Sequence, residues 1–383
     1  MRLVRRILFA LFGLAVLILI VWSLVIGPVA AFRVVTHGTT TVWDYLEYTG
    51  RELSVSSSPQ RWAVAADSFT PPEVLVDGVS LSLTSLLVDN ESLAFVVVHD
   101  GDLVYEWYAP DHGPDKPSMV FSVTKSIFSL LIGAAVDDGL IESVDDPVTR
   151  YVPELEDAGF ASVSLHDLLQ MDSNLDYVEG DNPFGKHVKF NYTDDLTSNI
   201  LSLRLRDVPD VSFRYKSGDY AVLGLALDRA LGELTITGYF EQRLWEPLGV
   251  EAGGVWNTDT EDGLERNWCC LAMTARDLAR FGELVVRDGL WEGERLVSAQ
   301  WLQASFQPAY QADRWPLDYA DSPLVNYGYG WWLTGDAWVA LGKDGQYVYV
   351  DPARDAVIVR LGESQGDFGW VDILRQVAER TDE

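Results

Sequence analysis

Ser122 and Lys125 stand one helical turn apart in the run Phe121-Ser122-Val123-Thr124-Lys125-Ser126. A hydroxyl and an amine at that spacing share one face of a helix. If burial lowers the pKa of the amine, it can take the hydroxyl proton and leave a nucleophilic oxygen. Backbone N–H groups at a helix N-terminus lie nearby, and the helix dipole there favours negative charge, as the oxyanion of an acyl transfer requires. The same pattern also occurs as an N-capping serine followed by a surface lysine. What surrounds the pair decides between the two.

Ile127, Leu130, Leu131, Ala134 and Ala135 recur at three and four residues, predicting a helix from near Ser122 to near Gly139 with that face buried. Ahead of it, the apolar runs 93–99 and 103–107 flank Asp100-Gly101 and predict a β-hairpin. Helical periodicity returns at 221–231, 236–248 and 275–286, the last capped by Thr274. Strands are expected at 330–334, 337–340, 346–350 and 356–361, then an amphipathic helix over 370–380. Residues 172–212 read as a polar, irregular wall over a cleft, with Tyr177 and Trp332 as candidate wall residues. Residues 33–90 read as loop with strand-like pieces over 74–88, and carry no recognisable chemistry.

This order predicts an α+β fold: an antiparallel sheet shared by the N- and C-terminal parts and flanked by helices, plus an all-helical lobe. One N-terminal transmembrane helix precedes it. The expected units are a membrane segment at 1–32, an extension at 33–90 and a body at 91–383. Within the body, an α/β lobe takes about 91–145 and 250–383, and a helical lobe about 146–249.

The chain has 383 residues, 48% of them hydrophobic, enough for a large core. Its net charge of −30 and pI near 4.3 argue against nucleic acid and an anionic membrane face as partners. Residues 7–32 are 26 residues whose single polar side chain is Ser23, long enough to cross a ~30 Å hydrocarbon core. Arg2, Arg5 and Arg6 should stay in the cytoplasm and send the body outward, to the periplasm or beyond a bacterial inner membrane. Val29-Ala30-Ala31 offers small residues for a signal peptidase, but the apolar stretch exceeds the usual ~7–15 residues, so an uncleaved anchor is expected. Cys269 and Cys270 are adjacent, which rules out an ordinary disulfide framework and a CxxC zinc site; two small buried thiols are expected rather than a vicinal disulfide. Nothing in the sequence fixes an oligomeric state.

Other chemistries lack their signatures. The sequence has no G-x-S-x-G elbow, no H-E-x-x-H and no phosphate-binding G-x-x-x-x-G-K-[ST] loop, so neither a metal nor another cofactor is expected. His37, His99, His112, His166 and His187 are scattered, and a base other than histidine is needed. Only six lysines occur, against 22 arginines, and Lys125 alone follows a serine by three. Downstream, Tyr215-Lys216-Ser217 precedes a helix and Lys343-Asp344-Gly345-Gln346 precedes a strand.

Ser-x-x-Lys, then Tyr-x-[Asn/Ser] before a helix, then Lys-x-Gly before a strand resembles the serine β-lactamase and penicillin-binding superfamily. The runs Leu165-His166-Asp167-Leu168-Leu169-Gln170-Met171, the segment 273–282 and Tyr327-Gly328-Tyr329-Gly330-Trp331-Trp332 extend the resemblance over about residues 91–375. It is most similar to the class C-like branch, and within that to 6-aminohexanoate-dimer hydrolases and related esterases. The resemblance implies a nucleophilic Ser122, Lys125 as its proton partner and Tyr215 as a general acid or base, best served by an adjacent amine. It further implies an oxyanion hole from the backbone N–H groups of Ser122 and Gln346, positive potential from Lys343, and substrate contacts at Ser217 and Gly345. The expected substrate is a small-molecule amide or ester. β-Lactam turnover or D-alanyl-D-alanine peptidase activity is the alternative, since Ser217 stands where class C enzymes have Asn and Asp344 where a K-T-G motif has Thr. A non-catalytic binding or sensor module is the third reading.

Overall fold

The computed structural model describes residues 2–63, 69–208, 213–310, 323–366 and 369–382, with side chains from residue 4 onward. A seven-stranded antiparallel sheet runs in the order Asn326–Tyr327, Trp332–Leu333, Trp338–Gly342, Gln346–Asp351, Ala356–Gly362, Ser92–His99 and Asp102–Tyr108. The C-terminal strands thereby meet the first hairpin of the body: Ile358 lies opposite Val97 and Val359 opposite Val96. Asp100 and Gly101 turn that hairpin with φ of +50° and +80°, the left-handed pair a two-residue hairpin turn requires.

The helix Val123–Asp137 is buried from Val123 to Ala135, apolar nearly all round, because it packs between the sheet and the helix Ser217–Leu231. Its first turn rests on the segment 327–332. Gly330, at φ +80°, lies so close that a Cβ there would fall 2.8 Å from the carbonyl of Lys125, and Ser126 Oγ donates to its carbonyl at 2.6 Å. A second antiparallel sheet, in the order Gly50–Leu53, Gly254–Asn257, Leu271–Met273 and Ser118–Met119, ties the residues just before Ser122 to those just after Cys270. The helix Ala275–Val286 starts on Thr274, whose side chain accepts from the Asp277 N–H, and covers the sheet at Gly282 and Val357.

Four expectations need correction. The apolar stretch 7–32 is two helices, Arg2–Ile26 and Pro28–His37, because Gly27 turns at φ +95° and Pro28 has no N–H to continue the ladder. Leu83–Asp89 is a helix, not a strand; its run is too short for periodicity to separate the two, and Leu83, Leu86 and Leu87 face the strand Ser92–His99 together. The irregular wall contains the helices Lys186–Tyr192 and Leu196–Leu201, while its residues 209–212 lie outside the described residues. Cys269 and Cys270 are buried as expected but bonded to each other, with Cys270 at φ +72°.

Arg360 is buried on the strand Ala356–Gly362, beneath the turn that carries Lys343. Its guanidinium donates to Ser92 Oγ at 2.9 Å and to the carbonyls of Gly345 (2.7 Å), Asn90 (2.8 Å) and Ser364 (3.1 Å), and lies 4.0 Å from the centre of the Trp370 ring. Desolvation pulls its pKa down to about 10. Arg360→Met leaves these acceptors without their donor; it is expected to lower the unfolding free energy by about 3 kcal/mol or more. Urea denaturation checks this, and a loss under about 1 kcal/mol would show that the turn stands without the guanidinium.

Candidate active site

Val120 donates its N–H to the Leu271 carbonyl at 2.8 Å, so the second sheet delivers the chain to the start of the central helix. Phe121 follows at φ +45°, a left-handed conformation rare for an aromatic residue, and Ser122 then enters helical dihedrals. Ser122 does not cap the helix through its side chain. Instead Lys125 Nζ donates to Ser122 Oγ at 2.9 Å and to the Trp268 carbonyl at 2.8 Å. The amine lies 4.8 Å from the centre of the Tyr215 ring, over its face, and the side chain of Lys125 is wholly buried. Desolvation lowers its pKa to about 7 against the opposing charge of Glu179, so near neutrality much of the amine is free base beside the hydroxyl. A capping serine with a surface lysine is thereby excluded.

One cavity of about 250 Å³ is lined by Ser122, Tyr215, Ser217 and Lys343, with Lys125 beneath Ser122 and Tyr215. Tyr215 is held by Trp332, stacked at 5.5 Å and 10° between planes, and by Tyr327 edge-on at 6.1 Å. Trp332 therefore supports the wall from behind rather than forming it. Tyr177 is also buried, against the rings of His187 and Phe190. Lys343 donates to the Thr40 carbonyl at 2.8 Å, with its Nζ 3.7 Å from the Asp344 carboxylate and 5.5 Å from the centre of the Phe121 ring.

Gly345 and Gln346 stand at the end of the same turn and do not line the cavity. Asp344 and Gly345 turn the chain at φ +59° and +82°, and Gln346 points its side chain inward, donating to the carbonyls of Lys343 (3.0 Å) and Gly362 (2.7 Å). The Gln346 side chain is therefore committed to the turn and turned away from the cavity.

Sequence reasoning missed Glu179 and His187, which line the same cavity. Glu179 accepts from Ser217 Oγ at 2.5 Å and from the Ser217 N–H at 2.9 Å, at the N-terminus of Ser217–Leu231. Nδ1 of His187 lies 3.3 Å from the carboxylate, its Nε2 3.1 Å from Asn191 Nδ2, and Asn191 Oδ1 accepts from Trp268 Nε1 at 3.0 Å. Burial alone would raise the pKa of Glu179, but the His187 and Lys125 charges and the Ser217 hydroxyl outweigh it and hold it at about 2. The only sequence signal for this cluster was an acidic residue beside Tyr177 in a segment read as irregular. Thr40, Tyr48 and the Cys269–Cys270 disulfide complete the wall, so the N-terminal extension, read as devoid of chemistry, contributes to the cleft.

A family model described as Beta-lactamase matches residues 86–380. Among curated proteins, a 6-aminohexanoate-dimer hydrolase from Paenarthrobacter ureafaciens is 28% identical over 316 residues, 77% of this chain and 80% of that protein. Among solved structures, one from Bacillus anthracis described as a 6-aminohexanoate-dimer hydrolase superposes with a TM-score of 0.74 at 21% identity, covering 89% of this chain and 92% of its own. A penicillin-binding protein from Bacillus halodurans gives 0.59 at 16% identity, covering 78% and 99%. At such identities the structural likeness carries the fold alone; the family match spans most of the chain, which therefore belongs to the Beta-lactamase family of serine hydrolases.

Proposed function

We propose that this hydrolase cleaves the amide or ester bond of a small molecule through an acyl-enzyme on Ser122, held by a single-pass anchor on the outer side of a bacterial inner membrane. The observation that carries the reading is the buried Lys125 amine, 2.9 Å from Ser122 Oγ with a pKa near 7. As free base, Lys125 takes the Ser122 proton while Oγ bonds to the substrate carbonyl carbon. The proton passes to the leaving amine or alcohol as the old bond breaks, with Tyr215 beside Lys125 as the relay. Water then attacks the acyl carbon and gives its proton to the same base, which passes it to Ser122 Oγ as the acyl bond breaks and so regenerates both groups. The N–H groups of Ser122 and Gln346 would hold the oxyanion, a contribution of ~3 kcal/mol per donor. Lys343 adds positive potential at the wall.

Two features favour an ordinary amide or ester over a β-lactam. The Ser217 hydroxyl is committed to Glu179, and Asp344 puts a carboxylate beside Lys343. For the anchor, Val4–Ile26 is long and apolar enough to cross a bilayer, and its side chains from Val4 to Val21 are exposed. Ala30 and Ala31, the residues a signal peptidase would read, are buried with Ile26 against Val188 and Tyr192. Cleavage there would cut through a packed contact of the folded protein, which supports retention of the segment.

Intact-mass spectrometry with a fluorophosphonate should show one adduct on the wild type and none on Ser122→Ala. An unmodified wild type would contradict the acyl-enzyme, and a stable penicilloyl adduct would move the reading to a penicillin-binding protein. Lys125→Ala should remain folded by circular dichroism yet lose about 10²–10⁴ in kcat/KM for a short ester; undiminished turnover would remove Lys125 from the mechanism. The working form is the unprotonated amine, whose pKa is depressed from the usual lysine value to about 7. Wild-type kcat/KM should therefore rise with pH through about 7 to a plateau, and a profile flat down to pH about 5 would be incompatible with that base.

A further inference from the structure

A second cavity, of about 240 Å³, adjoins the Ser122 cavity, with Thr40, Asp181 and Asn191 lining both. Val34, Gly38 and Thr39 form one side of it, and Pro183, Val188 and Tyr192 the other. The two together make an elongated site whose far half mixes apolar side chains with groups able to bond an amide or ester.

The far half is fastened to the anchor. Trp22, near the end of the helix Arg2–Ile26, donates its indole N–H to the Pro183 carbonyl at 2.7 Å and lies 5.9 Å from the Phe184 ring. Arg33 donates to the carbonyls of Tyr192 at 3.1 Å and Thr193 at 3.3 Å, and Ile26, Ala30 and Ala31 pack with Val188 and Tyr192. On the same helices and loops, Phe32, Val35, Val178 and Phe184 are exposed by 66%, 55%, 68% and 48%. Large apolar side chains at that exposure suit a lipid interface next to the end of a spanning helix. With a net charge of −30, apolar contact rather than charge must hold this face to a membrane.

Resting on the anchored-hydrolase reading above, we propose that the N-terminal segment is a wall of the binding site and that the substrate is an elongated amphiphile drawn from the bilayer. Its class is a long-chain acyl amide or ester, which reaches Ser122 along the corridor between residues 34–40 and 183–192. The anchor then does more than tether: it orients the corridor so that its mouth meets the lipid surface.

The test uses the full chain in phosphatidylcholine vesicles with p-nitrophenyl acetate and p-nitrophenyl hexadecanoate. Wild-type kcat/KM should favour the long ester by at least about tenfold, and Val34→Trp and Thr39→Trp should each cut that long-to-short ratio by about tenfold. Long ester preloaded in the protein's own vesicles should be cleaved faster than ester supplied in separate vesicles. A ratio near one in the wild type, or a ratio unmoved in both folded variants, overturns the corridor. Equal rates from shared and separate vesicles overturn entry from the membrane. If the acetate is cleaved and Ser122→Ala is inactive, such failures fall on this inference alone; if the wild type cleaves neither ester, the hydrolase reading fails and this one with it.

Discussion

An amine without water is the constraint on which the site depends. Lys125 is wholly buried, and in place of solvent its charged form meets a hydroxyl, a carbonyl and an aromatic face. The protein meets that cost by letting the amine lose its proton near neutrality, which is the property a serine needs from its neighbour. Each of those contacts is fixed by a different element. The first turn of the central helix sets Ser122, the segment before Leu271–Met273 sets the Trp268 carbonyl, and the residues ahead of the helix Ser217–Leu231 set Tyr215.

The surroundings balance how far the amine is depressed. From Ser217 a chain of contacts runs through Glu179, His187 and Asn191 to the Trp268 indole, and the carbonyl of that same residue accepts from Lys125. Glu179 stays ionised because a helix N-terminus, the Ser217 hydroxyl and nearby positive charge stabilise it. Its charge opposes the desolvation of Lys125 and keeps the amine near 7 rather than lower. The Cys269–Cys270 bond follows the Trp268 carbonyl directly in the chain, between that acceptor and the strand Leu271–Met273.

Local patterns carried much of this arrangement in the sequence. Ser122 and Lys125 were legible because helical periodicity follows them at once, and the hairpin at Asp100-Gly101 because its turn chemistry is specific. The shared sheet followed from strands at both ends of the body, and the pairing of Val97 with Ile358 realises it. Glu179 and His187 were not legible, since they reach Ser217 and Trp268 from a segment with no regular period, and nothing local marks a carboxylate that will be buried. Arg360 reads as one charge in an apolar strand; only the turn at Gly345 gives it partners. The helix at 83–89 and the break at Gly27-Pro28 show the same limit from the other side, where a tertiary contact or a single left-handed residue overrides apolar patterning.

The N-terminal segment joins these two scales, because the apolar helix Arg2–Ile26 runs on through Pro28–His37 into residues that line the cleft. On the anchored reading proposed above, one stretch of chain would both tether the protein and shape its cleft, and the lysine at the centre remains the quantity to measure. With six lysines in the chain, side-chain ¹³C–¹⁵N NMR can follow each amine through a pH titration. The one signal absent from Lys125→Ala should titrate at about pH 7. If that signal titrates instead at the ordinary lysine value of about 10, Lys125 is charged at neutral pH and cannot take the Ser122 proton.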